Sequence, residues 1–297
     1  MRNLPLSPPQ LERRLETAPL IITAAERTKG GVMGAQKLTV VFGDDGERLE
    51  AKWKEAPVGG DGWNNSPRRE IGVYQVQKLF LDPDDYLVPP VVARGIEFEA
   101  FRAVEAEPQA NIEGTKCVYG TLSVWLRNAT LPERVFDPEF FACHDGYAYH
   151  FGKLNLLHYL VDHRDSRTNN FLVSTDPDNP RIFSVDNGIA FGGTLFNFFT
   201  WHFDKIRVDR LPRDPVDRLR RLKRSDLDQF GVLSELRADP AGVLRHVPPG
   251  PNLDSDQGNR VRPGIVQIGL TSAEIDAIAE RLQTLLARID SGELTVF

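Results

Sequence analysis

The chain predicts an α+β fold in two lobes, β-rich first and mainly helical second, with a ligand cleft where they meet. Three observations carry this expectation. Strand-like runs separated by turn residues crowd residues 20–127, helical patterns dominate from 128 onward, and polar acidic motifs follow soon after that change, at 161–193. At 297 residues the chain is also long for one compact core and suits two lobes, 1–127 and 128–297.

The elements follow in order. The first ~25 residues form a short arm in which LERRLETA carries a helical pattern. KLTVVF (37–42) and ERLEAKWK (47–54) flank GDDG and read as a hairpin. The Gly- and Asn-rich stretch 55–65 is a loop. Ser66 and Pro67 then open a helix, as N-cap and first helical residue. DYLVPPVVARGIEFEAFRAVEA and TKCVYGTLSVWL read as further strands, the second running into a connector near RNATLP. In the second half, FGKLNLLHYLV (151–161) is an apolar helix. FLV and RIFSV are short strands about the TDPDNP turn, and Asp214-Pro215 starts another helix. Residues 248–264 form a long polar loop. Thr271 and Glu274 make a capping box for a last helix with Ile275, Ile278, Leu282, Leu285 and Ile289 on one face.

Composition excludes several classes. The net charge of −6 argues against general nucleic-acid binding. Two scattered cysteines, Cys117 and Cys143, make neither a disulfide framework nor a zinc site, so a reducing compartment is expected. No apolar leader and no run of ~20 apolar residues is present, which points to a cytoplasmic protein without a transmembrane segment. A P-loop and a serine nucleophile elbow are both missing.

The stretch VDHRDSRTNNFLVSTDPDNPRIFSVDNGIAFGG (161–193) is the informative one. Asp165 and Asp186 stand 21 residues apart, one followed by Asn170 after five positions and the other by Gly188 after two. Either alone is an ordinary turn residue. Together they suggest two carboxylates gathered about something positively charged. Upstream, Lys54 ends a strand and Glu70 lies one turn into the next helix. Lys52 shares the strand face of Lys54 by the two-residue period, so either lysine can serve the site, Lys54 being preferred beside the break at Pro57. TKGGVMGAQK places Gly30, Gly31 and Gly34 before a strand without forming a strict G-x-G-x-x-G.

His163-Arg164-Asp165 with Asn170 fits H-R-D-x-x-x-x-N, the catalytic-loop spacing of protein kinases, and Asp186-Asn187-Gly188 takes the place of D-F-G. The order of glycine-rich turn, AKWK, RREIGVYQVQKLF, YLVPPVV, HRDSRTNNFLV and SVDNGIAFGG resembles the protein-kinase-like superfamily across residues 20–195. Within it the likeness is to atypical members: phosphoinositide 3-/4-kinase-like, HipA-type and FAM20-type kinases. The resemblance implies a bilobal kinase-like fold with ATP between the lobes and Mg2+, or Mn2+ in its place, as metal. Lys54 would be the phosphate lysine and Glu70 its partner. Asp165 would be the catalytic residue, with Asn170 and Asp186 as metal ligands. Gly30, Gly31 and Gly34 would cover phosphates, and the connector at 123–128, with Val124 and Leu126, would meet adenine.

The function implied is transfer of the γ-phosphate to a hydroxyl of a protein, lipid or small molecule. A nucleotide-binding scaffold and an AMP transferase are the alternatives. The phenylalanine of D-F-G is Asn187 here and no A-P-E follows, which speaks against an ordinary activation-loop switch. His163 reads as a packing residue. The basic run 207–224 reads as a solvated helix face, or else a dock for acidic proteins or anionic headgroups. The aromatic cluster 196–203 reads as packing or as lining of the acceptor site.

Overall fold

A computed structural model describes residues 3–28, 34–43, 45–63, 65–176, 181–192 and 206–297. Helix α1 (Pro8–Thr17) opens the chain, with Leu11 and Leu15 buried. Strands β1 (Leu20–Arg27), β2 (Gln36–Phe42) and β3 (Arg48–Glu55) follow, then helix α2 (Pro67–Gln77), β4 (Val91–Glu97), the short α3 (Phe98–Phe101) and β5 (Cys117–Val124). The five strands form one antiparallel sheet in the order β1-β2-β3-β5-β4. The expected arm is therefore shorter than ~25 residues, because 20–27 pair with β2.

The two faces of this sheet serve different ends. Along β3 the side chains of Leu49, Ala51 and Trp53 join Leu11, Leu15, Val40 and Phe101 in a core under α1 and α3. The alternate positions turn Lys52 and Lys54 the other way, as the period of two dictates. On that second face Tyr119 of β5 and Ala93 of β4 pack with Ile71, Val73 and Tyr74 of α2. Helix α2 is buried nearly all round, which is why its charged residues Arg68 and Glu70 need partners.

The second half begins with β6 (Ala129–Thr130), α4 (Pro138–Cys143) and α5 (Asp145–Leu160), whose last ten residues are buried. Strands β7 (Phe171–Ser174) and β8 (Ile182–Ser184) pair antiparallel beside β6. Next come β9 (Arg210–Leu211) and α6 (Arg213–Arg221), then β10 (Ser234–Ala238), β11 (Leu244–Val247), β12 (Asn259–Arg262) and β13 (Ile265–Ile268). Helix α7 (Ser272–Asp290), started by the Thr271–Glu274 capping box, precedes β14 (Thr295–Val296), which runs parallel to β9.

The α+β class holds, but the second half is not mainly helical. Strands β10 to β13 form an antiparallel sheet in the order β11-β10-β13-β12, and β12 lies within the stretch expected to be a loop. The pattern was hidden because this sheet buries polar side chains. Glu235, Gln267 and Arg260 stand opposite one another on three adjacent strands. Gln267 donates to Glu235 at 2.9 Å and accepts from Arg260 at 3.3 Å. Nor does the core divide at residue 127, since one buried cluster joins Ile71 and Tyr119 to Phe151, Leu236, Val266 and Ile278. Among the described residues no helix is long and apolar enough to cross a membrane.

Candidate functional site

The site starts on β3. Lys54 is 4% exposed and its ammonium group lies 2.8 Å from Asp186 Oδ1 and 3.4 Å from Glu70 Oε1. Glu70, in the first turn of α2, accepts with its other oxygen the backbone N–H of Asn187 at 2.9 Å. Lys52 stands 4.0 Å from the same Asp186 oxygen. Three residues chosen from sequence, 16 and 132 positions apart, thus meet at one amine.

Charge explains the ionisation of this group. Burial works against the ammonium of Lys54, but Glu70 and then Asp186 outweigh it and hold its pKa above the ordinary lysine value. Desolvation likewise opposes the carboxylate of Asp186, and the ammonium groups of Lys52 and Lys54 overcome it, keeping the acid well below the usual carboxylate range. The backbone pays a cost here. Asp186 has φ +63°, a left-handed conformation that strains a residue carrying a Cβ. Asp162 (φ +48°) and Phe191 (φ +62°) adopt the same left-handed conformation in this segment.

Asn187 explains why no phenylalanine follows the aspartate. Its backbone serves Glu70, and its buried side chain accepts from Ser184 Oγ at 2.8 Å, which in turn accepts from His158 Nε2 of α5 at 2.8 Å. A polar relay thus joins α2 to α5 at this position. The aromatic contact beneath α2 comes from Phe191, which packs against Gly72 closely enough that a Cβ there would lie 3.0 Å from the ring.

Asp165 is buried, and both its oxygens accept from Arg167 at 2.6 Å. Asn170 donates Nδ2 to the carbonyl of Asp165 at 2.8 Å, and its own carbonyl accepts from Val185 N at 2.9 Å. The second bond sets Asn170 beside the residue preceding Asp186. The charge of Asp186 also reaches Arg167, whose pKa is raised first by its hydrogen bonds to Asp165. Arg167 was not assigned a role from sequence; a cation two positions after Asp165 was the available signal. His163 is fully buried and stacked on His158 at 4.2 Å, in keeping with a packing role.

A divalent cation was expected on Asn170 and Asp186. Among the described residues no group of three or more His, Cys, Asp and Glu side chains gathers to hold one. Magnesium is typically held by one or two carboxylates together with substrate phosphates, and of the two expected ligands Asp186 is a carboxylate and Asn170 an amide. Asp186, whose side chain is 47% exposed, meets Lys54 through Oδ1, and the bond made by Asn170 Nδ2 leaves Oδ1 of that amide as an acceptor.

The remaining expectations divide. Gly34 sits before β2 with φ +70° and open space about it, a left-handed backbone that favours glycine. Gly30, Gly31 and the cluster 196–203 lie outside the described residues. In the connector the amides of Val124, Trp125 and Arg127 donate to Pro90, Glu50 and Asn3, whereas Leu126 N–H has no acceptor among the described residues. Three arginines of the basic run pair with acids elsewhere in the chain: Arg218 meets Asp82, Arg220 meets Asp290 and Arg224 meets Asp276. This neutralises much of the face considered for docking. A surface depression of about 420 Å³, lined by Gln10, Arg13, Arg14 and Thr17, shares no residue with the Lys54 group. No protein-family model matches the chain, and no curated protein matches its sequence.

Proposed function

We propose that this chain is an Mg-ATP-dependent phosphotransferase of kinase-like, bilobal build, which passes the γ-phosphate to a hydroxyl acceptor. The single observation that carries this reading is the meeting of Lys54 with Glu70 and Asp186. A buried amine held by a helix carboxylate, with a second carboxylate beside it, suits a triphosphate and its metal. A structural ion pair would need only one acid.

In this reading Lys54 binds the α- and β-phosphates, and Glu70 orients it. Leu126 N–H meets the adenine edge. Magnesium held through Asp186 and Asn170 would neutralise charge on the β- and γ-phosphates. Asp165 accepts a hydrogen bond from the acceptor hydroxyl and aims its oxygen in line with the γ-phosphorus. That role requires Asp165 to exchange at least one bond to Arg167, whose freed N–H groups then face the transferring phosphoryl oxygens. Catalysis comes from positioning and charge rather than from a covalent intermediate.

The test is incubation with γ-labelled ATP, Mg2+ and panels of protein, lipid and small-molecule alcohols, with intact-mass analysis of any product. Addition of a phosphate by the wild-type chain, lost in Asp165→Ala while ATP binding persists, is the expected result. Addition of AMP, or ATP binding with no transfer to any acceptor including the chain itself, would replace this reading with one of its alternatives.

A further inference from the structure

Helix α2 is gripped at both ends by residues far away in the sequence. At its C-terminal end one carboxylate from α1, Glu12, accepts from Lys78 Nζ at 2.7 Å on each oxygen, from Gln75 Nε2 at 3.0 Å and from Tyr74 OH at 3.1 Å. At the N-terminal end Arg68 donates Nη1 to both oxygens of Glu274 in α7, at 3.0 and 2.7 Å, and Nε to Asp61 at 3.2 Å. Arg68 also lies on the backbone of Gly258, where a Cβ would come within 2.6 Å of the guanidinium carbon.

The grips are themselves anchored. Helix α1 is seated by buried Leu11 and Leu15, and Arg94 of β4 donates to the carbonyls of Leu15 and Ala18 at 2.6 and 2.7 Å. Glu274 belongs to the capping box of α7. Between the two grips lies Glu70, whose 3.4 Å contact with Lys54 is long enough that a small rotation or slide of α2 would break it.

We propose that the first and last helices clamp α2 so that Glu70 stays on Lys54 without a partner protein or a modification, making Glu12 and Arg68 positioning residues of the site. The inference rests on the phosphotransferase reading for its catalytic meaning. Its physical content, the register of α2, is measurable without ATP.

The experiment measures acylation of Lys54 in the intact chain, by peptide mass spectrometry, with the fully buried Lys153 as a reporter of global opening. Replacing Glu12 by lysine sets like charges at the end of α2, and Glu12→Lys with Lys78→Glu restores an opposite pair. Glu12→Lys is expected to raise the Lys54 rate about tenfold with Lys153 unchanged, as local opening would. The double exchange returns it toward wild type. Arg68→Met raises it likewise. An unchanged Lys54 rate in Glu12→Lys overturns the clamp, and so does a rise shared by Lys153 or not reversed by Lys78→Glu. Failure of Mg-ATP to protect wild-type Lys54 would count against the phosphotransferase reading alone and leave the clamp standing.

Discussion

Replacing Lys54 by methionine separates this account from one in which the lysine is an ordinary strand residue. The change keeps the stem volume and removes the ammonium group that faces Glu70 at 3.4 Å and Asp186 at 2.8 Å. Glu70 is then a buried carboxylate left with the Asn187 amide. Breaking a buried pair costs about 3–5 kcal/mol. The Asp186 share adds little because that side chain is half exposed and screened, so the total stays at about 3–5 kcal/mol. For a chain of this size the midpoint of thermal unfolding falls by about 5–8 °C. The companion change Lys52→Met removes a cation 4.0 Å away and 23% exposed. It costs only about 0–1 kcal/mol. Calorimetry with and without Mg-ATP reads both quantities: Lys54→Met loses the nucleotide-induced shift and Lys52→Met keeps most of it. A midpoint within a degree of wild type for Lys54→Met, or the larger loss of binding in Lys52→Met, would refute the assignment of Lys54 as the phosphate lysine.

Two further outcomes follow from the same geometry. The Asp186 acid is held below its unfolded range, so the stability it adds is present above about pH 4, the ordinary aspartate value, and is lost as pH falls through its folded pKa. Denaturant titrations should therefore show the gap between wild type and Lys54→Met narrowing below about pH 4, and a gap that widens there would contradict the pairing. Gly192→Ala places a Cβ 2.7 Å from the Asp162 carboxylate, which holds Arg164 and Arg281, at a φ of +72°. A loss of about 2–4 kcal/mol in urea with an unchanged slope is expected, and a neutral substitution would show that this segment adapts freely.

Much of the first half could be read from residue order, because its elements obey simple periods. Strands β2 and β3 alternate cleanly, and Ser66-Pro67 starts α2 where capping chemistry places it. The Lys54, Glu70 and Asp186 group was legible for a different reason: each residue is ambiguous alone, and their order gave them meaning. Strand β1 escaped notice because it is an edge strand with only Ile22 buried, so no alternation shows. The sheet of β10 to β13 escaped because Glu235, Arg260 and Gln267 occupy inward positions that a hydrophobic pattern would have filled with apolar residues. The bidentate hold of Arg167 on Asp165 spans only two positions, but nothing in their order fixes its geometry, whereas the relay through Asn187 and the grips on α2 depend on contacts across as many as 206 positions, which local reading does not reach.

The most direct test of the central claim is isothermal titration of ATP into the wild-type chain and Asp186→Ala, each with Mg2+ and with EDTA. The account predicts saturable binding by wild type that weakens strongly when the metal is removed, and little metal dependence in Asp186→Ala. Equal affinity in all four titrations, or no binding by wild type with Mg2+, would contradict it.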